Sequence, residues 1–323
     1  MNSTAPRTDA WQEAIEQLPQ NMRAELDGIW DNRGVLSGEA VGRLVGDSQS
    51  ELRLLMMQIL PLARLYAVVP VSHYPVGAVA AGMPVPGTNR CSLYLGANFE
   101  LADAALSCTV HAEQAAANNA WLNGEHGLQA LAISAAPCGY CRQFLQELVT
   151  AKNLAILLPD DPQNTGSGFN ARPLSALLPE AFGPGDLGVA GGLMDPQVGL
   201  HKLALDSGPP ADPTLAAALE AAAASYAPYP TDRSYNYAGV ALERDDGRIF
   251  AGRYAENAAY NPSLSPLQSA LAFMNMAQPQ AGRVVRCLLV EVPTLGSQRR
   301  STESALPAVA PGIGLEYHKA HTV

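Results

Sequence analysis

The chain carries His111-Ala112-Glu113 and, after 23 intervening residues, Pro137-Cys138-Gly139-Tyr140-Cys141. One imidazole and two thiolates can hold Zn²⁺ and leave its fourth position open, the ligand count of a catalytic rather than a structural zinc. A carboxylate two residues from the imidazole can move protons beside that open position. Alone, the Cys-x-x-Cys fits a redox pair as well as a metal site, and His-x-Glu is too short to mean anything. Together they are specific, because each falls in the first turn of an expected helix. The positive end of a helix dipole favours thiolates and ionised water. Pro137 stands just ahead of the second helix, where a missing N–H costs nothing.

These residues need a scaffold, and the chain is long enough for two domains: 323 residues, 48% hydrophobic and 15% charged. A net charge of −10 argues against a nucleic-acid polymer as ligand, since phosphate binding draws its strength from Lys and Arg. Five cysteines at irregular spacing make a poor disulfide framework and point to a reducing cytoplasm. Residues 1–12 are polar and lack the apolar core of a signal peptide. No apolar run reaches the ~18 residues that span a bilayer. Residues 1–8 read as disordered and 10–46 as short helical pieces. Ser48 and Ser50 are candidate N-caps of a helix running to Leu65. Residues 76–81 and 92–95 read as a strand hairpin, 107–122 as a helix opening with the His-x-Glu, 129–135 as a strand feeding the Cys-x-x-Cys, 143–151 as a helix and 154–158 as a strand. Alternating strands and helices imply a layered α/β core. Gly, Pro and Asp crowd 182–212, a linker composition, and an Ala-rich helix follows over 213–226.

The second half repeats the first. Gly77-Ala78-Val79 has a counterpart in Gly239-Val240-Ala241, and Gly96…Glu100 in Gly252…Glu256. From Gly96 the offset stays within one residue of 156, which sets His111 opposite Pro266, Glu113 opposite Gln268, Cys138 opposite Thr294 and Cys141 opposite Ser297. A duplicated domain explains this. The second copy keeps the scaffold and lacks the candidate ligands and acid, which assigns the chemistry to the first. Asn98 and Glu100 alternate at a strand end and so share a face; they can bind a ligand or cap a turn. Arg142 can donate to a thiolate or lie on the surface. Cys91, Cys108 and Cys287 lack ligand spacing and read as small buried hydrophobes.

The pattern His-x-Glu…Pro-Cys-x-x-Cys is the signature of zinc nucleobase deaminases. Ser72-His73-Tyr74-Pro75-Val76-Gly77-Ala78, Gly96-Ala97-Asn98-Phe99-Glu100, Thr109-Val110-His111-Ala112-Glu113-Gln114, Ala181-Phe182-Gly183-Pro184 and Ala255-Glu256-Asn257-Ala258-Ala259-Tyr260 add to it. From residue 54 onward the chain resembles the cytidine deaminase family, in its homodimeric two-domain bacterial class. The resemblance implies a duplicated three-layer α/β/α fold: an N-terminal helical segment (1–53), a catalytic domain (54–185), a linker (186–212) and a degenerate copy without zinc ligands (213–323). It implies one Zn²⁺ per chain on His111, Cys138 and Cys141, with Glu113 carrying protons. Cytidine and 2′-deoxycytidine would become uridine and 2′-deoxyuridine with release of ammonia. Asn98 and Glu100 would hold the sugar 3′-hydroxyl, the Ala112 amide would meet the base carbonyl, and the Ala136 carbonyl would accept from the exocyclic amine. Tyr74 stands where the family has a stacking Phe, a departure that bears on tolerance for substituents. Phe182 would close the pocket together with Ala259 and Tyr260 of a partner subunit in a cytoplasmic homodimer. Other readings are a deaminase of a modified nucleoside and a zinc-stabilised interaction module without turnover. Neither a polymer nor a membrane is an expected partner.

Overall fold

The computed structural model describes residues 7–161, 168–198, 200–232, 234–277 and 282–323. The disorder expected of residues 1–8 therefore lies outside the described residues up to position 6; Arg7 already opens a helix. Short helices come first: α1 (Arg7–Glu16) and α2 (Gln20–Asp27), then, after strand β1 (Val35–Leu36), α3 (Gly38–Val45), α4 (Gln49–Gln58) and α5 (Leu60–Arg64). Ser48 caps α4 by accepting from the Glu51 N–H at 3.3 Å. The single helix expected to reach Leu65 is two helices, because Pro61 has no N–H to carry the ladder across and sits instead in the first turn of α5.

Strands β2 (Gly77–Gly82) and β3 (Leu93–Ala97) follow, then α6 (Ala112–Leu122), β4 (Leu128–Ile133), α7 (Gly139–Gln146), β5 (Ala155–Pro159), β6 (Phe169–Pro173) and α8 (Leu174–Leu177). These strands form one sheet in the order β1-β3-β2-β4-β5-β6. Side chains alternate across it with the strand period of two. Val79, Ala81, Leu93 and Leu95 face the N-terminal helices, while Ala78, Ala80, Leu131 and Ile133 face α6. With both faces covered, the first half is a three-layer α/β/α unit.

The second half contains β7 (Leu203–Leu205), α9 (Pro213–Ala223), β8 (Ala238–Arg244), β9 (Ile249–Arg253), α10 (Pro266–Met276), β10 (Val284–Glu291), α11 (Arg299–Val309) and β11 (Leu315–Thr322). Its sheet runs β7-β11-β10-β8-β9. The order β9-β8-β10-β11 repeats β3-β2-β4-β5, with the last pair parallel in both, so the fold is duplicated. The 186–212 stretch is not all connection: β7 within it pairs antiparallel with β11 and forms the sheet edge.

The two copies meet through α6 and α10. Asn118 Nδ2 donates to the Ser269 carbonyl at 3.0 Å, and Ser269 Oγ donates to Asn118 Oδ1 at 2.6 Å. A glycine in each copy lets its helix lie directly on the sheet. A Cβ on Gly96 would come within 2.1 Å of the Ala116 nitrogen, and one on Gly252 within 2.1 Å of the Ala270 nitrogen. These matched contacts correct the internal alignment. The helices correspond at an offset of 154, so His111 stands opposite Ser265 and Glu113 opposite Leu267. His111 and Ser265 are both N-caps, and the backbone N–H of each donates to a glutamine side chain three residues on, Gln114 and Gln268. The turn before the helix is two residues shorter in the second copy. At β4 and β10 the offset returns to 156, since Ile133 pairs with Ala78 as Leu289 pairs with Val240. The erosion stands in the corrected register.

Candidate metal centre and adjoining cavity

His111 does not sit inside the first turn of a helix beginning at 107. Phe99 and Val110 exchange backbone hydrogen bonds at 2.8 and 2.9 Å, which keeps the chain extended up to His111 (φ −80°, ψ 157°) and makes it the N-cap of α6. Cys138 is likewise the extended N-cap of α7. The helix expected over 143–151 starts earlier, at Gly139, and ends at Gln146. Two helix N-termini therefore converge on one point, and both favour negative charge there.

At that point Cys141 Sγ lies 3.1 Å from His111 Nδ1, Cys138 Sγ lies 3.5 Å from it, and the sulfurs are 3.6 Å apart. Around a tetrahedral zinc, bonds of about 2.3 Å to sulfur and 2.0–2.1 Å to nitrogen put ligand atoms roughly 3.5–3.8 Å apart. Cys138 already stands at that spacing from both other donors, and Cys141 Sγ and His111 Nδ1 lie closer still, so a small outward shift of one of them admits the ion; among the described residues the three form the one cluster of His, Cys, Asp or Glu able to hold a metal. The donor set and its geometry fit zinc with one position left over. The hydrogen bond between the two sulfurs is the main influence that draws Cys138 down to about 4, helped by helix N–H groups and His111, while the same bond and burial push Cys141 far up. A cation in place of the proton would hold both as thiolates. Cys91 and Cys287 stand apart, buried, and burial pushes each up to about 12.

A cavity of about 290 Å³ opens beside these donors. One wall is His111, Ala112, Glu113, Ala136 and Cys138; the other is Asn98, Glu100, Ser72 and Tyr74. Glu113 is 4% exposed, and burial raises its carboxyl above the usual range. It is not one of the three clustered donors. Asn98 Oδ1 accepts from the Val76 N–H at 2.9 Å, and its Nδ2 donates to the Tyr74 carbonyl at 3.0 Å. Glu100 accepts from the Val71 and Ser72 N–H groups at 3.1 and 2.9 Å and from Ser72 Oγ at 2.5 Å. These bonds to Ser72 and Val71 outweigh the burial penalty and hold Glu100 below the usual carboxylate range. Both residues thus clasp the 71–76 loop and line the cavity as well. Four lone-pair sites on a carboxylate and two N–H on an amide leave each with capacity for one more partner.

The other expected residues divide. Tyr74 lines the cavity with its side chain open to solvent. Phe182, Ala259 and Tyr260 do not line it within one chain. The Phe182 carbonyl accepts from Gln143 Nε2 at 2.7 Å, the Ala259 N–H donates to Asn257 Oδ1, and Tyr260 sits in a left-handed turn (φ 58°), 59% exposed. Arg142 makes neither expected choice. Its guanidinium donates to the Pro137 and Leu177 carbonyls at 2.9 and 2.8 Å, fixing the residue ahead of the Cys-x-x-Cys. Ser72 and Thr109 also line the cavity, and each lies in one of the segments that carry the family resemblance.

The family model for the cytidine and deoxycytidylate deaminase zinc-binding region matches residues 50–157, and a second model of the same description matches 174–303. A cytidine deaminase of Aliivibrio fischeri is 42% identical over 309 residues, covering 95% of this chain and 96% of the relative. One of Aeromonas salmonicida is 42% identical over 306 residues, 94% of this chain and 96% of the relative. One of Yersinia pestis is 40% identical over 278 residues.

Proposed function

The chain belongs to the cytidine and deoxycytidylate deaminase family, and from that premise we propose how its first copy works as a zinc-dependent cytidine deaminase. Cytidine and 2′-deoxycytidine lose the 4-amino group to water, giving uridine and 2′-deoxyuridine and ammonia. The observation that carries the reading is the buried carboxylate of Glu113 on the wall of the cavity that the His111, Cys138 and Cys141 donors also reach. His111, Cys138 and Cys141 hold one zinc ion. When bound, zinc supplies Lewis acidity that brings the ionisation of water towards neutral pH.

Glu113 takes a proton from the attacking water and delivers it to N3 of the base, which makes C4 electrophilic. The oxygen bonds to C4, Glu113 takes the remaining proton from that oxygen and passes it to the amine, and the bond from C4 to the amine breaks to release ammonia. Proton transfer by a positioned carboxyl is worth about 10² to 10⁴ in rate. The Ala112 N–H is one of the first-turn donors of α6 that have no partner within the helix; it meets the base carbonyl, while the Ala136 carbonyl accepts from the amine. Tyr74 lies along the base. A sugar hydroxyl donates to the free acceptor site of Glu100 and accepts from the second N–H of Asn98, which selects a nucleoside over free cytosine.

Among the described residues no helix is long and apolar enough to cross a membrane. The proposed assembly is a cytoplasmic homodimer, in which Ala259 and Tyr260 of each chain complete the other's cavity, which that chain's own Phe182 also helps to close. The exposure of Tyr260 and Phe182 in a single chain supports this. The proposed division takes 54–185 as the catalytic copy and 213–323 as the degenerate copy, with β1 from the N-terminal segment and β7 from 186–212 each adding an edge strand to one sheet.

Purified protein is expected to contain one zinc per chain by metal analysis and to bleach cytidine absorbance on incubation; zinc without turnover of any pyrimidine nucleoside would sink the reading in favour of an interaction module. Glu100→Gln is expected to raise KM for cytidine roughly 10- to 100-fold with kcat little changed, the range for a buried polar group left without its partner. 3′-Deoxycytidine should suffer a similar loss on the unmodified enzyme. Equal KM values for cytidine and its 3′-deoxy analogue would remove Glu100 from substrate binding.

A further inference from the structure

Glu147, the C-terminal cap of α7, is fully buried. Its carboxylate is held by three neutral donors from the second copy. Tyr226 Oη and Tyr229 Oη donate to Oε1 at 2.7 and 2.5 Å, and the Ala258 N–H donates to Oε2 at 2.9 Å. One turn earlier on the same helix, the Gln143 carbonyl accepts from Asn257 Nδ2 at 2.9 Å. The first turn of α7 carries Cys138 and Cys141. The helix is thus gripped by the second copy at one end and presents the thiols at the other.

The residues that grip it are the second copy's version of the segment that backs Glu100 in the first copy's cavity wall. In the first copy, Val68 N–H donates to the Asn98 carbonyl, Glu100 N–H to the Val68 carbonyl, and Val71 N–H to the Glu100 carboxylate at 3.1 Å. In the second, Tyr226 N–H donates to the Tyr254 carbonyl, Glu256 N–H to the Tyr226 carbonyl, and Tyr229 N–H to the Glu256 carboxylate at 3.2 Å. Tyr226 replaces Val68, Tyr229 replaces Val71, and Glu256 keeps the place of Glu100. The same backbone frame that holds the substrate wall in one copy projects two phenols in the other. Glu256 is pushed up to about 7 by burial, and charge on the adjacent Glu147 adds to the push.

We propose that the second copy's eroded site serves as a clamp on α7, with Tyr226 and Tyr229 as positioning residues that hold Cys138 and Cys141 in place through Glu147. The proposal rests on the reading of those cysteines as zinc ligands. The helix is only eight residues long, so the hold on its C-terminal end bears on the thiols at its start. Outer partners of metal ligands commonly change affinity by about 10- to 100-fold, and a misplacement of about 1 Å from a mutation far from the chemistry can cost about 10²-fold in rate.

The test compares full-length, zinc-loaded protein with Tyr229→Phe, the double variant Tyr226→Phe/Tyr229→Phe, and Thr302→Val. The last removes a buried hydroxyl bond to the Gln298 carbonyl away from α7 and controls for loss of stability alone. Zinc transfer to a coloured chelator is followed in folded protein at constant temperature, beside kcat and KM. The double variant is expected to release zinc about tenfold faster than wild type, within the range for outer partners, with kcat down several-fold and KM unchanged. Tyr229→Phe should follow in the same direction, and it keeps the comparison available if the double variant does not fold. Release no faster than from Thr302→Val overturns the clamp. A wild-type protein that takes up no zinc overturns the metal-centre reading and the clamp with it, and so separates the two failures.

Discussion

Glu113→Gln is expected to bind zinc as wild type does and to lose about 10²- to 10⁴-fold in kcat, the worth of a positioned acid–base group. The substitution keeps the size of the side chain and removes its capacity to accept and return a proton. Its environment argues for this separation. Glu113 sits in the first turn of α6 on the cavity wall, 4% exposed, two residues from His111 but outside the donor cluster. The metal ligands therefore remain intact in the variant. Burial raises the Glu113 carboxyl, which brings it nearer to the pH at which it must both take and give the proton. Metal analysis and the decrease in cytidine absorbance, measured on the same preparation, check both halves. A variant that turns over cytidine close to the wild-type rate would remove Glu113 from the mechanism. One that loses zinc would mean the carboxylate supports the metal instead.

The chemistry was legible in the sequence because it resides in side-chain types: an imidazole, two thiols and an acid at short spacings. Their positions at helix starts were legible less sharply. Periodicity suggests a helix from 107, but Phe99 and Val110 pair across a loop and hold 109–111 extended, an effect of residues that pattern reading treats separately. The duplication was visible from Gly96 and Gly252, whose missing side chains let helix backbone approach the sheet. The two-residue shortening before α10 was not, so the internal alignment slipped by one. Asn98 and Glu100 were visible as a pair on one face, whereas their grip on the 71–76 loop uses backbone donors that any sequence would supply. The Glu147 clamp left no local signal at all. Its donors lie 79 to 111 residues away, and only the packing of one copy on the other brings them together.

Cys138→Ala is expected to abolish zinc retention and activity while leaving the fold intact. The remaining donors, His111 Nδ1 and Cys141 Sγ, are 3.1 Å apart and give two ligands where a catalytic zinc takes three. With the metal gone, the Lewis acidity is lost and Glu113 has no acidic water to act on, so the loss of kcat should exceed that of Glu113→Gln. The fold should survive because the site is not its core. Cys138 is exposed, and the three apolar clusters, around Leu55 and Met56, around Ala116 and Leu131, and around Leu271 and Leu289, are built without it. This contrasts with small zinc domains, in which binding free energy is folding free energy and the metal-free chain is unfolded. Thermal unfolding of Cys138→Ala should therefore stay a single cooperative transition, lowered by no more than the binding linkage that the absent zinc supplied. Zinc content by metal analysis after dialysis against a chelator, read beside that transition, checks the claim. Full zinc retention would show that Cys138 is not a ligand, and an unfolded variant would show that the metal holds the domain together rather than serving its chemistry.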